Sequence, residues 1–74
     1  MTADELVHMA NQIALFFAAY PDDDAVAGVA DHLRRFWPVQ QRARLAAARE
    51  DAAAARAMHP LVVRALVRLG DEAR

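Results

Sequence analysis

Cysteine is absent from the 74 residues, which excludes disulfides, thiolate zinc sites and cysteine-ligated iron–sulfur clusters. Serine is absent too, and the single threonine, Thr2, stands where a helix is capped. No hydroxyl or thiol nucleophile therefore stands out, and a bundle this small rarely encloses a catalytic pocket. Lysine is absent: all nine basic residues are Arg. That fits either a genome that favours Arg and Ala codons or the preference for guanidinium forks at carboxylate-bearing interfaces. No apolar run approaches the roughly 20 residues that span a bilayer. The opening Met1-Thr2-Ala3-Asp4-Glu5 is acidic where a secretory signal is basic. The chain is expected to be cytoplasmic and off the membrane. Strand patterns, internal repeats and glycine-rich phosphate loops are missing as well.

What is present is a short, Ala-rich, nearly neutral chain. Its length fits one small helical domain over residues 1–74, frayed at about 71–74. A domain of this size buries only about 60 % of its unfolded surface and needs good packing or a partner to hold it. The formal net charge of −1 gives no general attraction to nucleic acid or anionic lipid.

The spacing of apolar residues predicts an all-α fold, a small bundle of three to four helices with an N-terminal helical hairpin. Thr2 and Glu5 form a capping-box pattern. Leu6, Met9, Ala10, Ile13, Phe16, Phe17 and Tyr20 follow at 3–4 spacing until Pro21. Asp22 or Asp23 is the expected N-cap of the second helix. Its apolar positions are Val26, Val29, Ala30, Leu33, Phe36 and Trp37, with Asp31 and Arg35 as an i,i+4 pair. Gly28 weakens that helix by about 1 kcal/mol relative to Ala, and is expected to admit a close approach of the first helix. Pro38 ends the second helix at Trp37. Helix propensity then predicts one long third helix from 39 to about 58, only partly buried. His59-Pro60 breaks it, and Leu61, Val62, Ala65, Leu66 and Leu69 make a fourth helix that Gly70 closes in the C′ position.

The polar groups carry little chemistry. His8, His32 and His59 have no metal-ligand spacing between them. Asp22-Asp23-Asp24 lacks the alternation, Gly and distal Glu of a calcium loop and reads as a helix-capping acidic turn. Arg42, Arg49 and Arg56 recur every seven residues, which puts them on one helix stripe. Such a stripe is a solvated face, a contact for an acidic surface or a phosphate contact. With the net charge slightly negative and no aromatic between the arginines, nucleic acid fits least.

The aromatics are the stronger signal. Phe16 and Phe17 diverge by about 100° around their helix, and so do Phe36 and Trp37 on theirs. A two-helix contact cannot bury Phe16, Phe17, Tyr20, Phe36 and Trp37 together. Either the fourth helix folds back over the remainder, or part of the set, Trp37 above all, sits in a partner's groove.

At these residues the chain resembles the delta subunit of the cytoplasmic NAD-dependent formate dehydrogenases, the multisubunit molybdenum or tungsten enzymes. The resemblance rests on Leu6-Val7-x-Met9-Ala10-Asn11-Gln12-Ile13, Phe16-Phe17, Val29-Ala30-x-His32-Leu33 and Phe36-Trp37, over roughly residues 4 to 45. The family follows Phe-Trp with one residue and a Pro-Arg-Met-Arg run. Here Pro38 follows Trp37 directly, and only Arg42 matches the last Arg of that run. The resemblance implies a non-catalytic accessory subunit with no cofactor in this chain, which stabilises the catalytic subunit or assists its assembly. It further implies a partner interface drawn from Phe16, Phe17, Tyr20, His32, Phe36, Trp37 and Arg42. The alternative is a free-standing helical oligomer or adaptor that self-associates through the same rings.

Overall fold

Five helices pack around one apolar core in the computed structural model, which describes residues 1–72. Helix α1 spans Ala3–Phe17, α2 Asp22–Phe36, α3 Val39–Ala48, α4 Ala52–Ala57 and α5 Pro60–Glu72. Among the described residues there is no strand, and the all-α bundle expected from the periodicity is what forms.

Helix α1 is the centre of the arrangement and packs against each of the other four. Its start is the capping box: the Glu5 N–H donates to Thr2 Oγ1 and the Thr2 N–H donates to Glu5 Oε1, each at 3.1 Å. Its buried face is Leu6, Val7, Ala10 and Ala14. The three-residue and four-residue steps between these positions keep them on one stripe. Helix α2 pairs with α1 across the short Ala18–Pro21 connection, and its most extensive packing is with α5. Val29, Ala30 and Leu33 of α2 meet Val62 and Ala65 of α5 in a core where each is fully shielded or nearly so. Outside that core, Arg64 reaches Asp22, and Arg34 reaches Glu72, tying the ends of the two helices together.

Four features differ from the sequence reading. The N-cap of α2 is Pro21, and Asp22, Asp23 and Asp24 form the first helical turn. There the three carboxylates face the positive end of the helix dipole, and Asp22 is engaged by Arg64.

The long third helix is divided. Arg49, Glu50 and Asp51 close a tight turn through N–H bonds to Ala46, Ala47 and Ala48. Asp51 then caps α4 by accepting from the Ala53 N–H at 3.0 Å. A straight helix from Val39 to Met58 would run about 30 Å, the full length of the protein's greatest extent of 29 Å. The turn folds that length back so that Leu45, Ala48, Ala54 and Met58 all reach the core.

Gly70 does not end α5. The helix continues through it to Glu72, whose carboxylate is held by Arg34 and by Arg68 one turn earlier. Of the expected frayed end, Asp71 and Glu72 are thus helical, while residues 73 and 74 lie outside the described residues.

The last difference concerns Trp37. Pro38 forces it off the helix into extended geometry, φ −99° and ψ 132°. That swing takes its side chain off the α2 surface and into the core, where it is 8 % exposed. Met58, at the end of α4, is also extended and also buried. These two inter-helix residues turn the chain and plug the core at once.

Candidate functional site

The outward apolar surface gathers where the C-terminal half of α1 passes the middle and end of α2. The local cause is Gly28. A Cβ built on it would stand 2.5 Å from two carbons of the Phe17 ring, so only the missing side chain lets that ring lie across α2. Phe17 is therefore half-buried. Phe16, the next residue around the helix, is turned outward and is 68 % exposed. The two rings meet edge to face at 5.0 Å and 88°, an arrangement the ring quadrupoles favour. Tyr20, 50 % exposed, closes the cluster with its ring 5.6 Å from Phe17 and 6.4 Å from Phe16.

Across the helix boundary, His32 joins this set. It lines an open groove of about 370 Å³ together with Gln12, Ile13, Phe16 and Phe17. On its other side its imidazole lies 4.9 Å from the ring of Phe36, which is 69 % exposed. The surface is thus continuous from Tyr20 through Phe16 and Phe17, over His32, to Phe36. His32 supplies the one titratable group within the groove.

Of the residues singled out in the sequence, the fold brings together Phe16, Phe17, Tyr20, His32 and Phe36. Trp37 is not among them: as a core residue it is unavailable as an anchor in a partner's groove. Arg42 lies on α3 and does not line the groove. Gln12 and Ile13 do line it, although neither was singled out as an interface residue in the sequence. Their position one turn before Phe16 and Phe17 is the signal that places them there.

Asn11, in the same distinctive run, has a structural role. Its amide donates to the Ala57 carbonyl at 2.8 Å and accepts from the His59 N–H at 2.8 Å. One side chain of α1 thereby satisfies both sides of the α4–α5 connection. His59 in turn caps α5, with Nδ1 accepting from the Leu61 N–H at 3.0 Å. The remaining titratable feature is Glu5, whose carboxyl is held below its usual range by the Thr2 backbone N–H, with a smaller contribution from the Thr2 hydroxyl. Among the described residues, no helix is long and apolar enough to cross a membrane, and no group of three acidic or histidine side chains is placed to hold a metal ion.

A family model described as NADH-dependent formate dehydrogenase delta subunit FdsD matches residues 5–66. No curated protein and no solved structure matches the chain.

Proposed function

This chain belongs to the NADH-dependent formate dehydrogenase delta subunit family, and from that premise we propose that it is a non-catalytic accessory subunit that docks on the catalytic subunit of the complex. The docking surface is the groove and its rims: Phe16, Phe17, Tyr20, His32 and Phe36. The observation that carries this reading is that Phe16 and Phe36, large rings that a lone globule would gain by burying, are each more than two-thirds exposed on one continuous surface. Covering them against another polypeptide removes apolar area from water at about 25 cal/mol per Å². Binding that favours the folded partner stabilises it by mass action. The accessory role thus follows from contact alone and requires no cofactor in this chain. The sequence supports that view, since it offers neither thiolate cluster ligands nor a phosphate-cradling loop.

The test is co-purification of the tagged chain with the catalytic subunit. Phe16→Ser combined with Phe36→Ser changes two exposed residues and should leave helicity and thermal stability close to wild type. The same variant should lose most of the co-purifying catalytic subunit. Retention equal to wild type would reject this surface as the docking site.

A further inference from the structure

The arginines divide into two groups. On α2 and α5 each one reaches a carboxylate: Arg34 contacts Asp31 and Glu72, Arg35 Asp31, Arg64 Asp22, and Arg68 Glu72. Along α3, α4 and the turn between them, Arg42, Arg44, Arg49 and Arg56 make no ion pair among the described residues. That stretch contains just two acids, Glu50 and Asp51, and Asp51 is engaged in capping α4. Arg44 is held by the Met1 carbonyl at 2.7 Å. Arg42, Arg49 and the exposed Arg56 are left, and the first two share a further property. Both are half-buried, and the Nε of each is shielded from water with no acceptor.

Arg49 keeps a right-handed helical backbone at the end of α3, φ −62° and ψ −23°. Seven residues along a helix advance about 10 Å and return to within about 20° of the same face. The two side chains therefore leave α3 on one side, two turns apart. Their covered Nε atoms show stems already laid against the protein surface, so less rotamer freedom remains to be lost when a partner arrives.

We propose that this face of α3 binds an acidic segment of a protein partner, with Arg42 and Arg49 each taking one carboxylate. The two carboxylates would stand about 10 Å apart, the spacing of residues two turns apart on a helix. The inference rests on the reading of the chain as a docked subunit and adds a second contact of different chemistry. A continuous polyphosphate fits this face less well. Glu50 and Asp51 interrupt the arginines, the whole chain carries a net charge of −1, and no aromatic residue occurs on α3 or α4 for base stacking.

The experiment measures rebinding of the full chain to formate dehydrogenase complex stripped of it, across a range of salt. The variants are Arg42→Gln/Arg49→Gln, Arg64→Gln/Arg68→Gln and Phe16→Ser/Phe36→Ser, each first shown to keep wild-type helicity. The Arg42/Arg49 variant should weaken binding at least tenfold at low salt and flatten its salt dependence. The Arg64/Arg68 variant should stay within about twofold, because those side chains are already paired within the chain. Wild-type affinity and salt dependence for the Arg42/Arg49 variant overturn the inference. If that variant binds normally while the Phe16/Phe36 variant is lost, the docked-subunit reading stands and only the acidic contact falls. In parallel, the isolated chain is titrated with poly-L-glutamate, a single-stranded oligonucleotide and phosphatidylserine vesicles. Arg42/Arg49-dependent binding to poly-L-glutamate supports the proposal. Tighter Arg42/Arg49-dependent binding to the oligonucleotide or the vesicles overturns it.

Discussion

Phe17 rests on Gly28 so closely that a methyl group at residue 28 would overlap its ring, 2.5 Å from two of the ring carbons. The glycine that weakens α2 as a helix is thus what seats the inner ring of the aromatic surface. In the wild type, Gly28→Ala gains about 1 kcal/mol of helix propensity but must push the ring off its seat, an overpacking penalty of about 1–3 kcal/mol. A net loss of about 1 kcal/mol is expected. With Phe17→Ala already present, the same change should stabilise by about 1 kcal/mol. Urea denaturation of the four species measures the coupling, and simple additivity would show that the ring and the glycine do not interact.

Neighbouring rings should behave in opposite ways. Trp37→Ala empties a core position and should remove about 3–5 kcal/mol. That is comparable to the whole stability of about 3–5 kcal/mol that a core of this size supplies, so the variant should be largely unfolded by far-ultraviolet circular dichroism at 25 °C. Phe36→Ala changes a surface residue and should shift stability by no more than about 0.5 kcal/mol. A cooperative, wild-type-like melt for Trp37→Ala would contradict its place in the core.

Asn11→Ala should strip the α4–α5 connection of two hydrogen bonds and leave the half-buried His59 N–H without an acceptor. The expected loss is about 1–3 kcal/mol. Amide hydrogen exchange gives a local reading: protection at His59 should fall by more than protection in the middle of α2.

Asp51→Ala separates two views of residues 39 to 58. For one continuous helix, Ala in place of Asp would raise stability through propensity. For α3 and α4 divided by a capped turn, it should lower stability by about 1 kcal/mol. Thermal denaturation decides by sign alone.

The capping box predicts an acid-sensitive N-terminus. Glu5 is held below its usual carboxylate range by the Thr2 N–H. Its contribution is therefore fully present above the ordinary glutamate value and is lost as the pH falls through the lower folded-state value. Amide protection at Thr2 and Glu5, taken relative to the intrinsic exchange rate at each pH, should fall over that acidic window. In Glu5→Ala the protection at Thr2 should be lost already at neutral pH, without the acid step.

The punctuation of the chain was legible because it is local chemistry. Thr2 with Glu5, Pro21, Pro38 and His59-Pro60 each act within a few residues, and helix boundaries fall at or next to all of them. The turn at Arg49–Asp51 was not legible, because the Ala-rich residues around it favour helix and what the turn achieves, the burial of Leu45, Ala48, Ala54 and Met58 together, is a tertiary matter. Gly70 misled for a similar reason: the bonds from Arg34 and Arg68 to Glu72 carry α5 past it. Trp37 was legible as a large apolar ring but not as a core residue, since its direction depends on the extended geometry that Pro38 imposes. For the aromatic surface, the sequence supplied Phe16, Phe17, Tyr20, His32 and Phe36. The groove between them, and the part of Gln12 and Ile13 in it, required the crossing of α1 over α2.

Since α1 is the wall against which all four other helices lean, a fragment lacking it keeps the α2–α5 contact but loses the main packing of α3 and α4. Its far end also bears Phe16 and Phe17, so the proposed grip on a neighbour and the keystone of the fold are one rod. A protease that severs the chain within Ala3–Phe17 should weaken structure and attachment in the same event, releasing α3 and α4 from the α2–α5 pair.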